Sequence, residues 1–261
     1  MWRGSKIAVV IPAYCEQDLI GQVIRTAPAF VDELFVIDDA SSDHTCAVAS
    51  GCNDGRVRVV RHRSNRGVGA AIVTGYRSAL AAGADVIAVM AGDAQMDPAD
   101  LERVITPVVR GEADYVKGNR LEHPRWRDMP AARRVAGAWL AKLTSFAIGV
   151  PIGDSQCGYT AFAAEAVGRL PLDELWPRFG YPNDLLGLVA AAGLRVAEVP
   201  VRPVYTGERS GVRPWHAAVV AAVVLRRWLK TRWRVPRAVP QSAARDRGRS
   251  RPLAPTAEAE L

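Results

Sequence analysis

Lys6-Ile7-Ala8-Val9-Val10-Ile11 is an almost wholly apolar run that closes on Pro12. An apolar stretch without alternation is what a strand needs when both faces of its sheet are covered. The pattern returns at Glu33–Asp38, Val57–Arg61 and Asp85–Met90, and again at Ala113–Lys117 and Arg195–Val201. Helical patterns fill the intervals 16–27, 42–51, 67–82 and 98–110, with two more over 131–149 and 182–192. This alternation predicts an α/β domain with an open, mainly parallel sheet and helices on both faces.

Ligands of such sheets bind beyond the carboxyl ends of the strands. The polar clusters stand there in this chain. Pro12-Ala13-Tyr14-Cys15-Glu16 follows the first strand and Asp38-Asp39-Ala40-Ser41-Ser42-Asp43 the second. Asn65-Arg66-Gly67-Val68-Gly69 follows the third and Gly92-Asp93-Ala94-Gln95 the fourth. One site along one sheet edge is expected.

Composition narrows the class. The chain has 261 residues, 49% hydrophobic and 23% charged, which excludes wholesale disorder, collagen-like repeats and a disulfide scaffold. The longest apolar run, Ala217 to Leu225, falls short of the ~20 residues of a membrane span. The amino terminus leads into a strand pattern without the apolar region of a signal peptide. Cys15, Cys46, Cys52 and Cys157 lack C-x-x-C spacing and read as reduced thiols of a cytoplasmic protein. The net charge of +7 is confined to one end: residues 226–251 carry ten basic residues against Asp246 alone, while residues 1–225 balance. Nucleic-acid binding is not expected, because the folded body is not basic.

Each motif has a structural and a functional reading. Gly67-Val68-Gly69 opens a helix but lacks the third glycine, Ile72 standing in its place. It reads as a tight turn or as a close backbone approach to a nucleotide. Asp38 and Asp39 suit helix capping or hydrogen bonds to a base or ribose. Glu16 suits a helix amino terminus. Asp97-Pro98 is a helix start, whereas Asp93 and Gln95 offer oxygens to Mg²⁺ or Mn²⁺. Asp154-Ser155-Gln156-Cys157-Gly158-Tyr159 is a polar patch, and Asp184 sits at a helix start. The four histidines make no metal-spaced pair and read as surface or packed residues.

Together these segments resemble the family 2 glycosyltransferases with the GT-A fold, and among them the dolichol- and polyprenyl-phosphate sugar synthases. The similar text is VVIPAYCE, VIDDASSDHT, NRGVGAAIVTGY, GDAQMDP, DYVKGNR, DSQCGYTAF and YPNDLLGLVAAAGLRVAEVPV. The resemblance implies a sugar transfer from a nucleotide diphosphate sugar, with inversion, to an acceptor such as a polyprenyl phosphate. It implies that Pro12, Tyr14 and Glu16 border base and ribose, that Asp39 contacts the base and that Asp38 supports it. By the same resemblance Gly67, Gly69 and Asp93 lie along the donor, and Asp93 with Gln95 holds Mg²⁺ or Mn²⁺ on the diphosphate. Lys117, Arg120, Asp154 and Gln156 fall in the phosphate and acceptor segments, Arg209 and Ser210 in a late closing loop. Asp184 matches the general base, or a positioning residue where the acceptor is a phosphate that is already ionised.

Two positions depart from the family pattern. Ala91 replaces the first Asp of D-x-D, and Thr160 stands where the synthases often carry Arg. Ala91 leaves a second reading open, a catalytically silent nucleotide-sugar-binding or membrane-adaptor relative. The chain divides into a transferase domain over 1–213, a basic amphipathic helix over 214–235 and a disordered tail over 236–261. That helix either packs on the domain or lies at the inner face of an anionic membrane, Trp228 and Trp233 beside its apolar body.

Overall fold

The computed structural model describes residues 1–205 and 215–232, with side chains from 218 to 230 in the second stretch. Seven strands form one mixed sheet: β1 (Ile7–Ala13), β2 (Glu33–Asp38), β3 (Val57–Arg61), β4 (Val86–Val89), β5 (Tyr115–Asn119), β6 (Thr160–Ala163) and β7 (Val196–Pro200). Their order across the sheet is β3-β2-β1-β4-β6-β5-β7. All neighbours run parallel except at β6, which is antiparallel to β4 and β5. The six expected strands are present; β6 is the addition, directly after the polar patch Asp154–Tyr159.

The helices are α1 (Ile20–Thr26), α2 (Thr45–Gly51), α3 (Val68–Ala81), α4 (Leu101–Val109), α5 (Ala131–Ile148), α6 (Ala164–Gly168), α7 (Tyr181–Ala191) and α8 (Trp215–Arg232). Both faces of the sheet are covered, and side chains alternate between them with the strand period of two. Ile7, Val9 and Ile11 of β1 meet α1 and α4 on one face. Ala8 and Val10 meet α3 on the other, where α7 also packs. The turn before α4 follows the expected cap, the Asp97 carboxylate accepting from Ala99 N with Pro98 next.

The last helix, α8, packs against α7 and α5. Val220, Val223 and Val224 are buried, and so is Arg227. One side of its apolar body therefore packs on the domain, while Leu225 on the other is exposed. Trp233, Arg209, Ser210 and the segment 236–261 lie outside the described residues.

Candidate functional site

The strand ends set the site. Loops after β1, β2, β3 and β4 leave the same sheet edge. Val89 at the end of β4 pairs with Thr160 at the start of β6. An antiparallel strand brings to this edge the residues that precede it, so Asp154–Tyr159 joins the site. Cys15, Ala40 and Ala94, one in each of the loops after β1, β2 and β4, hold positive φ without being glycine. Each costs of order 1 kcal/mol, and such strain gathers at functional loops.

Two cavities of about 280 Å³ each lie side by side here. Pro12, Tyr14, Glu16, Asp39, Asn65 and Gly67 line the first. Gln95, Arg120, Gln156, Tyr159, Tyr181 and Tyr205 are among those lining the second. Val68, Ala91 and Asp93 belong to both, so Asp93 stands where the two join. Its carboxylate closes a turn by accepting from Gln95 N at 3.0 Å.

The walls of the first cavity are cross-tied. Cys15 N donates to Ser41 Oγ at 2.9 Å and Glu16 N to Thr45 Oγ1 at 2.7 Å. Asp39 N donates to Ala13 O. Buried Asp38 does not line the cavity. It accepts from Ser41 N, with the Arg61 guanidinium 3.1 Å away but not aligned as a hydrogen bond.

The two glycines answer to the protein's own chain. Gly67 adopts φ +93°, and a Cβ there would fall 2.4 Å from Pro177 O. At Gly69 it would fall 2.3 Å from Trp176 O. Gly69 N and Ala70 N donate to Pro177 O, which occupies the start of α3. Gly69 thus lies against the 176–178 segment and off the cavity wall, in place of the nucleotide approach expected for it. Gly69→Ala is expected to cost about 2–3 kcal/mol in chemical denaturation, because a backbone carbonyl cannot step aside and the helical gain of Ala is smaller. An unchanged midpoint would rule that contact out.

On the second side Arg120 reaches the cavity wall. Asp154 grips it through Nε at 2.7 Å and Nη2 at 3.0 Å. Burial pushes the Asp154 carboxyl up, but Arg120 and Lys117 outweigh it and hold it below the ordinary value. Asp154 also accepts from Gln156 N and Cys157 N. Gln156 donates to Asn183 Oδ1 at 2.8 Å. Lys117 is not on either wall: it is fully buried on β5, its ammonium donating to Cys157 O, and burial lowers its pKa. It braces the Cys157 segment that lines the second cavity. Thr160 is buried in β6.

Asp184 is also off both walls, contrary to the base expected there. It is fully buried near the start of α7. Arg227 of α8 clamps it, Nε to Oδ1 at 2.8 Å and Nη2 to Oδ2 at 2.7 Å, and Trp176 N donates to Oδ2 at 2.8 Å. Arg227 also donates to Glu174 O. A carboxylate so engaged is an anchor for α8.

The reading from sequence did not single out α5. Tyr205 lines the second cavity, and Arg133 near the start of α5 lies over its ring at 4.9 Å. Only Ala141 and Thr144 of α5 are buried. Val135, Trp139, Leu143 and Phe146 fall on one helical face, with Trp139 70% and Phe146 84% exposed. Lys142 lies over the Trp139 ring at 5.7 Å. The signal was available as the apolar spacing within 131–149.

Among the described residues no three His, Cys, Asp or Glu side chains are grouped to hold a metal, and no helix is long and apolar enough to cross a membrane. Asp93 with Gln95 still suits Mg²⁺ or Mn²⁺, which take one or two carboxylates and complete their shell with phosphate oxygens and water.

The comparisons agree with this geometry. The model of Glycosyl transferase family 2 matches residues 8–149. A UDP-N-acetylglucosamine–dolichyl-phosphate N-acetylglucosaminyltransferase of Methanococcus voltae is 29% identical over 216 residues, 77% of this chain and 86% of its own. A polyprenol monophosphomannose synthase of Mycolicibacterium smegmatis is 30% identical over 206 residues, 76% and 77% of the two chains. Glucosyl-3-phosphoglycerate synthase of Mycobacterium tuberculosis, in complex with Mn²⁺, UDP-glucose and glycerol 3-phosphate, superposes with a TM-score of 0.65 at 25% identity, covering 86% of this chain and 80% of that one. The sheet and its helices are those of the GT-A fold.

Proposed function

The chain belongs to glycosyl transferase family 2, and from that premise we propose that this glycosyltransferase moves a sugar, with inversion, from a nucleotide diphosphate sugar to a polyprenyl phosphate at a membrane surface. The observation that carries the reading is the pair of cavities meeting at Asp93, with Tyr205 on the wall of the second lying under Arg133 of α5. The nucleoside lies in the first cavity, its base toward Asp39 and its ribose toward Pro12, Tyr14 and Glu16. The diphosphate crosses at Asp93, and the acceptor enters the second cavity.

Arg120 meets the acceptor phosphate, aligned by Asp154. Phosphate oxygen is ionised at neutral pH, so attack on the anomeric carbon needs no base, in keeping with the anchored Asp184. Asp93 and Gln95 would hold Mg²⁺ or Mn²⁺, which when bound neutralises charge on the departing diphosphate. Val135, Trp139, Leu143 and Phe146 lie in the headgroup boundary, with Lys142, beside the Trp139 ring, facing anionic lipid. The α5 stripe is thus offered as the chief membrane contact, α8 adding exposed Leu225, Leu229 and Lys230.

Full-length protein, a panel of nucleotide sugars, Mn²⁺ and polyprenyl phosphate in anionic vesicles test this directly. Mass spectrometry should find the polyprenyl-phosphate sugar. Trp139→Ser with Phe146→Ser should cut vesicle co-sedimentation about tenfold or more, by the loss of two exposed aromatic anchors that would insert into the lipid, and slow turnover on vesicles but not in detergent. Transfer only to water-soluble acceptors would reject the lipid reading.

A further inference from the structure

Glu198 on β7 stands opposite Lys117 on β5, its partner in the register of two parallel strands. Side chains at paired positions leave the same face of a sheet. Here both reach one segment of chain, residues 153–157. Glu198 Oε2 accepts from Gly153 N at 2.7 Å and Oε1 from Asp154 N at 3.1 Å. At the other end of the segment the Lys117 ammonium donates to Cys157 O. The acid thus holds the amides and the base holds the carbonyl. The segment also comes in close over the end of β5, where a Cβ at Gly153 would fall 2.3 Å from Asn119 Nδ2. Glu198 itself lines neither cavity.

What this bracket holds in place is the buried carboxylate of Asp154. Its Oδ2 accepts from Arg120 Nε at 2.7 Å and from Arg120 N at 3.2 Å. Its Oδ1 accepts from Arg120 Nη2 at 3.0 Å, and from Gln156 N and Cys157 N at 3.1 Å each. A two-pronged pair of this kind is strict in its geometry, so a shift of the carboxylate turns the guanidinium with it. Arg120 lines the second cavity, and its Nη1 meets no acceptor among the described residues.

We infer that Glu198 is a positioning residue for the acceptor phosphate: by fixing the backbone of Gly153 and Asp154 it fixes the carboxylate that aims Arg120 into the second cavity. The inference rests on the reading of that cavity as the acceptor-phosphate site, and adds to it a residue that touches no ligand. Glu198→Gln isolates the effect, because it keeps the size of the side chain. A carboxylate accepts at both oxygens, whereas an amide accepts at one and donates at the other end. One of the two backbone N–H groups would then face an NH₂ group, and the segment must shift to part them.

Calorimetry on the full-length protein tests this. Farnesyl phosphate, a short polyprenyl phosphate, reads the acceptor side, and farnesol controls for the chain. UDP and GDP with MnCl₂ read the donor side. Glu198→Gln should weaken farnesyl phosphate about tenfold, the order expected when one charge-assisted hydrogen bond to the ligand is lost. Farnesol and the nucleotides should bind as they do to the wild type. Arg120→Gln should also weaken farnesyl phosphate, and adding Glu198→Gln to it should weaken the ligand no further, a result that general loosening of the fold would not give. Should Glu198→Gln fail to fold, Glu198→Asp, which keeps the charge and shortens the reach, takes its place in the same cycle. If the wild type binds farnesyl phosphate no better than farnesol, or Arg120→Gln leaves it unchanged, the acceptor-phosphate reading falls and the inference with it. The inference alone falls if Arg120→Gln weakens farnesyl phosphate and the Glu198 variant does not. It falls likewise if the Glu198 variant weakens the nucleotides equally, or adds its full loss on top of Arg120→Gln.

Discussion

Asp93→Asn is expected to lower turnover by about 10²–10³-fold, the range found when one charge-stabilising group is removed from a transferase or hydrolase site. The amide keeps the size of the side chain and one oxygen to accept from Gln95 N, so the turn in which Asp93 lies should survive. What is lost is the negative charge at the junction of the two cavities. Ala91 offers no second carboxylate in the loop to take its place. Steady-state rates with the nucleotide sugar and Mn²⁺, alongside a thermal melt, separate chemistry from folding. A variant within threefold of the wild-type rate removes Asp93 from the mechanism.

Arg227→Met should destabilise the protein by about 3–5 kcal/mol, because it strands a buried carboxylate. Asp184 is fully buried, and the Arg227 side chain is 4% exposed. Gly187 leaves room for that side chain to pass: a Cβ there would lie 2.3 Å from Arg227 Cγ. Urea denaturation measures the loss. Adding Asp184→Asn to Arg227→Met should recover part of it, since the stranded charge is gone. Single-mutant losses below about 1 kcal/mol, or no recovery in the double variant, would contradict the anchor. The Asp184→Asn rate is informative as well. A general base would show about 10²–10⁴-fold loss at full folding, whereas an anchor's loss follows the folded fraction.

Much of the fold is legible in the chain because it is written in periodicity. β1 to β5 and β7 are runs whose apolar character needs no tertiary information, and α3 and α5 lie within a residue of the expected intervals. β6 is different. Thr160-Ala161-Phe162-Ala163 is only four residues long, and its direction depends on partners at β4 and β5 that no local pattern encodes. The amino end of α1 also starts later than expected, at Ile20, because Glu16 and Gln17 are drawn into ties with Thr45 and Asp43.

Site residues were legible where the backbone alone places them. Pro12 near the end of β1, and Tyr14, Glu16, Asp39 and Asp93 just after strand ends, line the cavities. Residues whose surroundings depend on distant partners were not. Lys117 is drawn under the site by Cys157 O, and Asp184 is claimed by Arg227, which is 43 residues away. His62 read as packing until Asp39 and Thr74 were seen on either side of its ring.

The peptide from Trp176 to Pro177 touches both halves of this arrangement. Its carbonyls press on Gly67 and Gly69, and Trp176 N donates to Asp184. Local opening at one end therefore cannot proceed without releasing the other. The loop of Gly67 and Gly69 and the last helix form one cooperative unit of native-state fluctuation, and whatever seats α8 more firmly also slows the breathing of the first cavity.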